Sequence, residues 1–262
     1  MNAIHRVLDP RQGDSVSPGR CALAVMTKAP QAGRVKTRLT PPLSPEEAAA
    51  LNTCFLRDTA AAILRTAEGK RATGIAVYTP VGAEAAYAGI LPDEFALVPQ
   101  RGEAFGERLS AASEDLLLLG FDSLCLIDSD SPTVPEKAFA EAVDLLARDE
   151  DSVVLGPSDD GGYYLIGLKK LHRRLFEAID WSTERVLEQT IDAAREVDMQ
   201  VHLLPTWYDV DDRRTLSRLC CEFFGSNGSD ENGFAAPATR GFLSDLLERE
   251  GRGRIWPNES QP

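Results

Sequence analysis

Histidine is scarce in this chain. The 262 residues carry three, His5, His172 and His202, far apart in sequence, which argues against a histidine-rich metal centre. The five cysteines, Cys21, Cys54, Cys125, Cys220 and Cys221, form no C-x-x-C pair, so neither a zinc framework nor a disulfide framework is written here. Cys21 and Cys125 fall inside apolar segments and read as small core residues of a cytoplasmic protein. No apolar run approaches the ~20 residues of a membrane helix. Residues 1–20 lack the apolar stretch of a secretory signal and read as a disordered lead-in. Positive charge is in deficit, 28 Lys and Arg against 41 Asp and Glu, for a net charge of −13. That balance argues against nucleic acid or an anionic membrane as partner, since both demand basic surface.

Several catalytic signatures are missing as well. There is no G-x-x-x-x-G-K-[ST] phosphate loop, no G-x-G-x-x-G after the first strand and no G-x-S-x-G elbow. The stretch DSDSPTVPEKAF starts like a calcium loop, but Pro132 and Phe139 stand where that loop needs ligands.

What is present is an apolar fraction of 43% and an alternation of two periods. CALAVMT (21–27), ATGIAVYT (72–79), EFALVPQ (94–100), SLCLID (123–128), SVVLGP, GYYLIGL and QVHLLP read as strands. Between them lie helical patterns. The first opens on Ser44, Pro45 and Glu47, a capping box with proline at the first helical position. Thr133 with Glu136 predicts a cap for the helix over EKAFAEAVDLLAR, Ser182 one for TERVLEQTIDAAREV, and Asp212 one for DRRTLSRLCCEFF. The continuous apolar run of SLCLID suits a strand buried on both faces. The pattern predicts a doubly wound α/β fold with a mainly parallel sheet. The expected organisation is a lead-in over 1–20, one domain over 21–224, a Gly/Ser/Asn-rich linker over 225–237, and a short helix and tail over 238–262.

In such sheets ligands bind outside the carboxyl ends of the strands. Two clusters fall there. TKAPQAGRVKTRL gathers Lys28, Arg34, Lys36 and Arg38 in the loop after the first strand, a set suited to phosphates. LCLIDSDSP ends a central strand with Asp128 and Asp130, whose mutual repulsion a divalent cation would relieve. YDVDD offers Asp209 and Asp211 as a second acidic patch. GPSDDGGYYLIGL places Asp159 and Asp160 before Gly161 and Gly162, with Tyr163 next, as candidate substrate contacts or a plain hairpin turn. QRGEAFGERL sets Gly102 and Gly106 around a helix start that could meet an anion. Trp181 in DWSTERV is a candidate stacking surface or a buried staple.

The order of these motifs over roughly residues 20–222 resembles a bacterial family of small glycosyltransferase-like proteins of the GT-A, nucleotide-diphospho-sugar transferase type, of the arsenosugar-biosynthesis or radical-SAM/selenodomain-associated kind. Molybdenum-cofactor and phospholactate guanylyltransferases are more distantly similar. The resemblance implies a three-layer α/β/α fold with a mixed, mainly parallel sheet. It also implies a transferase dependent on a divalent cation, Mg²⁺ or Mn²⁺. Asp128, Asp130 and Asp211 would hold the metal. Lys28, Arg34, Lys36 and Arg38, with Gly102 and Gly106, would hold donor phosphates. Asp160 or Asp209 would act on the acceptor, and Asp159, Gly161, Gly162, Tyr163 and Trp181 would line the substrate site. The family commonly reads SDCPDLP where this chain reads SDSPTVP, so Thr133 donates no carboxylate. Three activities follow as expectations: glycosyl transfer from a nucleotide-diphospho-sugar to a small-molecule acceptor, nucleotidyl transfer from a nucleoside triphosphate with release of pyrophosphate, or non-catalytic nucleotide binding. Oligomeric state, monomer or homodimer, is not legible.

Overall fold

A computed structural model describes residues 5–225 and 233–255. Seven strands form one sheet: β1 (Cys21–Lys28), β2 (Ala72–Thr79), β3 (Ala96–Pro99), β4 (Ser123–Ile127), β5 (Ser152–Pro157), β6 (Tyr163–Leu168) and β7 (Gln200–Leu203). Their spatial order is β3-β2-β1-β4-β6-β5-β7, and β6 alone runs antiparallel to its neighbours β4 and β5. On β1 the residues Cys21, Leu23 and Val25 enter one core, while Ala22 and Ala24 enter another on the opposite face. That two-sided burial accounts for the unbroken apolar runs in the sequence.

Helices α2 (Phe105–Leu118) and α4 (Val186–Glu196) cover one face. Helices α1 (Pro45–Gly69), α3 (Glu136–Leu146), α5 (Arg213–Phe224), α6 (Pro237–Glu250) and α7 (Arg252–Ile255) cover the other. The architecture is therefore three-layer α/β/α with a mostly parallel mixed sheet, as expected. The capping box of α1 is formed: Ser44 Oγ accepts from the Glu47 amide, and Glu47 accepts from the Ser44 amide. Asp212 caps α5 by accepting from the Thr215 amide.

Two expected caps are not made. Thr133 Oγ1 instead accepts from the Trp207 indole, and α3 opens at Glu136 behind Pro135. Ser182 sits in left-handed backbone ahead of α4, which starts four residues later at Val186.

The lead-in also departs from expectation. From His5 on it is pinned to the sheet: Leu8 N donates to Leu97 O, Leu97 N donates to Arg6 O, and Leu8 is buried. The cause is β3, an edge strand whose open N–H and C=O groups this segment satisfies. At the other end, α6 packs on α1, where the buried Asp58 accepts from the Ala238 and Thr239 amides. The linker expected over 225–237 lies, for 226–232, outside the described residues, as do residues 1–4 and 256–262. Among the described residues no helix is long and apolar enough to cross a membrane.

Candidate active site

The sheet order brings four loops to one edge. β1 and β4 are parallel neighbours, so the loop after Lys28 and the turn after Ile127 emerge side by side. Because β6 is antiparallel to β4, its first residues, fed by the DDGG turn, start where β4 ends. The segment between β7 and α5 is tied in by its backbone: Val210 N donates to Asp130 O at 2.9 Å, and Asp159 N to Trp207 O at 3.0 Å.

Lys36 is the keystone of this edge. Its backbone is left-handed, φ 47° and ψ 38°. Its Nζ lies 2.8 Å from Asp130 Oδ1, 2.8 Å from Asp211 Oδ1 and 2.8 Å from Val210 O, so all three ammonium protons are used. The side chain is only 4% exposed. Burial alone would pull this ammonium down, but Asp130 and Asp211 outweigh it and its pKa rises. Asp211 feels the reverse: burial pushes its carboxyl up, and Lys36 brings it below the ordinary aspartate range. Asp209, next along, is pushed up to about 6 by burial and then by the charges of Asp211 and Asp160.

Asp128 is bonded within its own turn and half-buried. Its Oδ2 accepts from Ser131 Oγ at 2.7 Å and its Oδ1 from the Asp130 amide at 3.3 Å. Burial, followed by the charge of Asp130, pushes its pKa well above the carboxylate range. The repulsion anticipated within D-S-D is therefore relieved from inside the protein. One carboxyl is driven toward its neutral form and the other is paired with Lys36. The set as folded does not fit a divalent cation, because an ammonium stands between the two carboxylates that converge. Among the described residues no group of three His, Cys, Asp or Glu side chains could hold a metal ion.

Two cavities adjoin at this edge. The first, about 250 Å³, is lined by Lys28, Arg34, Lys36 and Arg38, together with Asn52 and Thr37. The second, about 500 Å³, is lined on its polar side by Asp128, Asp160 and Gly162, and by Tyr163 and Trp181 on its aromatic side. Met26, Leu109 and Ile166 add apolar surface. Arg38, Ser129, Asp130 and Asp211 border both. Phe105 and Trp181 meet edge to face at 5.1 Å, and Tyr163 and Trp181 at 6.5 Å. Asp160 Oδ1 accepts from the Gly162 amide at 2.9 Å.

Five sequence-predicted residues line neither cavity: Gly102, Gly106, Asp159, Gly161 and Asp209. The glycines make room for protein, not ligand. A Cβ on Gly106 would meet Phe176 O at 2.5 Å and Trp181 Nε1 at 2.6 Å. Gly102 has φ +98° and turns against Glu107. The amides before α2 that could have met an anion, Glu103 N and Ala104 N, already donate to Glu107 Oε2. Asp159 is taken by Arg218, whose guanidinium stacks on Tyr208. Asp209 accepts from Ser158 Oγ at 3.3 Å.

Asn52 is a polar residue that sequence reading missed. It lines the first cavity, and its Oδ1 is buried without a partner. The signal was an asparagine on the helix face that Ala48, Leu51 and Phe55 make apolar. An orphaned buried amide oxygen costs stability unless a donor on a ligand meets it. Asn52→Ala is therefore expected to leave unfolding free energy within about 1 kcal/mol of wild type. The orphaned Oδ1 only accepts, so it fits a ligand hydroxyl or amine and not an anionic oxygen. The same change should leave pyrophosphate affinity unchanged in calorimetric titration; a several-fold loss would show that the amide nitrogen donates to the anion instead.

Known proteins share the fold. A family model, DUF2064, "uncharacterized protein conserved in bacteria", matches residues 62–183, from late α1 to the Trp181 loop. The chain is similar to a crystal structure from Desulfovibrio desulfuricans G20 described as a "putative nucleotide-diphospho-sugar transferase". The two are 28% identical over 88% of this chain and 97% of that one, with a TM-score of 0.73. CMP:2-keto-3-deoxy-manno-octonic acid synthetase, solved with CTP, shares the fold at 10% identity, over 77% of this chain and 97% of its own, with a TM-score of 0.51. No curated protein matches.

Proposed function

We propose that this chain is a nucleotide-utilising transferase that moves a glycosyl group from a nucleotide-diphospho-sugar to a small-molecule acceptor. The observation that carries this reading is the junction of the two cavities. A cation-lined cavity suited to a diphosphate opens directly into a larger, aromatic-lined one, across Ser129, Asp130 and Arg38. The similarity to the Desulfovibrio protein points the same way.

In this reading Lys28, Arg34 and Arg38 face the donor diphosphate and stabilise charge that develops as it departs. Lys36 serves them indirectly, by holding the loop. The edge-on aromatic pair Phe105–Trp181 presents a face to the sugar or to an apolar part of the acceptor. Asp160 lies at the polar side of the larger cavity, where it can orient an acceptor hydroxyl and take its proton. The acid expected to share that role, Asp209, lies outside both cavities and acts at most through its neighbours.

Nucleotidyl transfer is the second reading, favoured by one feature: three exposed cations, Lys28, Arg34 and Arg38, also suit the charge of a triphosphate. Thermal-shift screening of nucleotide-diphospho-sugars and nucleoside triphosphates, each with Mn²⁺ and with EDTA, separates the two. Stabilisation by a nucleotide-diphospho-sugar, followed by nucleoside diphosphate release in the presence of acceptor, is the expected result. Selective stabilisation by a triphosphate with pyrophosphate release would transfer the assignment to the second reading. A protein that responds to neither class is not a transferase of this kind.

A further inference from the structure

The carboxylates of Asp130 and Asp211 stand where a cation belongs, and a cation is already there. Three independent features fix the Lys36 ammonium in that position. Its donors are fully assigned, to Asp130 Oδ1, Asp211 Oδ1 and Val210 O, each at 2.8 Å. Its backbone is held at φ 47°, a left-handed conformation that is unfavourable for a residue with a Cβ and persists only where surrounding contacts impose it. On its far side lies the Phe55 ring, with Nζ 5.4 Å from the centroid, a face that favours positive charge. The loop, the D-S-D turn and the D-V-D-D segment are thus fastened together by one buried charge.

Geometry makes this position exclusive. A magnesium or manganese ion bound by the same oxygens sits roughly 2.0–2.2 Å from them. An ammonium nitrogen 2.8 Å from both Oδ1 atoms fills the same space. The two cannot be present together, and eviction of the lysine leaves a buried ammonium without its counter-charges unless another anion receives it.

We propose that Lys36 is the resident cation of this cleft, and that divalent metal ions bind Asp130 and Asp211 only in competition with its ammonium. The metal dependence implied by the resemblance is then conditional. Metal alone is held weakly, and the pair becomes a metal site only where the ammonium is displaced or removed. The proposal rests on the transferase reading for the identity of the cleft, but the two can fail separately.

The experiment is Mn²⁺ binding to the full chain, followed by the electron paramagnetic resonance of the free aquo ion, with the metal as the only ligand. Lys36→Met is expected to bind Mn²⁺ at least tenfold more tightly than wild type. Lys36→Arg, which restores the charge, should stay at the wild-type level, and adding Asp130→Asn to Lys36→Met should abolish the gain. Equal affinity of wild type and Lys36→Met, whether tight or undetectable, overturns the proposal. Circular dichroism confirms that each variant is folded. If Lys36→Met is not folded, Lys36→Gln, which keeps a polar group on the same stem, takes its place with the same expected gain. Nucleotide-dependent thermal shift of the wild type, with Mn²⁺ and with EDTA, reports on the transferase reading by itself. A Mn²⁺ contrast without a nucleotide response removes that function and leaves the competition standing, and the converse result does the opposite.

Discussion

Replacing Gly161 by alanine is expected to cost about 3 kcal/mol of stability or more and to disable the larger cavity. Gly161 has φ +90°, a region that L side chains rarely adopt. A Cβ there would also collide with the Glu184 carbonyl oxygen and come within 2.6 Å of the Glu184 Cα. Neither atom is the flexible end of a side chain, so backbone has to move. The turn is fastened where the clash arises, since Leu187 N donates to Gly161 O at 2.9 Å and so joins it to the first turn of α4. For a chain of this size, 3 kcal/mol corresponds to a fall in Tm of roughly 6–12 °C. Glu184 and Val186 line the larger cavity but not the cation-lined one. Acceptor binding should therefore be lost while pyrophosphate binding survives at temperatures where the variant is folded. A thermal melt within 2 °C of wild type (a shift of roughly 1 kcal/mol or less) would refute the collision.

The second large effect is expected at Arg101. Its Nε and one terminal nitrogen grip Asp115 as a fork, at 2.7 Å and 2.6 Å, and the Asp115 side chain is only 2% exposed. The same guanidinium reaches Glu114, which also holds Arg173. The loop ahead of α2, the middle of α2 and the segment after β6 are joined through this network. Arg101→Met strands a buried carboxylate, and breaking a buried pair in this way costs about 3–5 kcal/mol. Replacing both partners together, Arg101→Met with Asp115→Leu, removes the stranded charge and should recover most of that loss. Urea unfolding of the two single variants and the double closes the cycle. Additive losses would mean that Arg101 and Asp115 act independently, contrary to the fork.

Much of the fold could be read from the chain, for a simple reason. Seven apolar runs and the helical periodicities between them are local signals, and the two-sided burial of β1 and β4 leaves no alternation to confuse them. The caps of α1 and α5 were legible because they lie within four residues. The lead-in was not, since its value is to satisfy the open edge of β3, a strand distant in sequence.

The site divides along the same line. Residue types and their place at the carboxyl edge pointed to Lys28, Arg34, Lys36 and Arg38, and these do gather around one cavity. What they touch was hidden. Nothing in TKAPQAGRVKTRL says that one of its four cations is buried on Asp130 and Asp211 while three face solvent, Arg38 reaching Asp211 only at 3.9 Å. A missing Cβ, likewise, declares that something approaches but not what, so Gly106 and Gly161 read as ligand contacts although Trp181 and Glu184 fill the space. Asn52 was passed over because one polar residue on a long apolar face reads as noise until its Oδ1 is seen without a partner.

Trp181, set edge-on between Phe105 and Tyr163 in the wall of the larger cavity, is also a fluorophore at the one place where a ligand would alter its surroundings. Trp207 stacks on Tyr208 outside both cavities. The third tryptophan, Trp256, lies outside the described residues. With Trp207 and Trp256 both replaced by Phe, the remaining emission comes from the cavity wall. Filling of the acceptor space can be followed by emission alone, with no label attached and no knowledge of the chemistry that comes after.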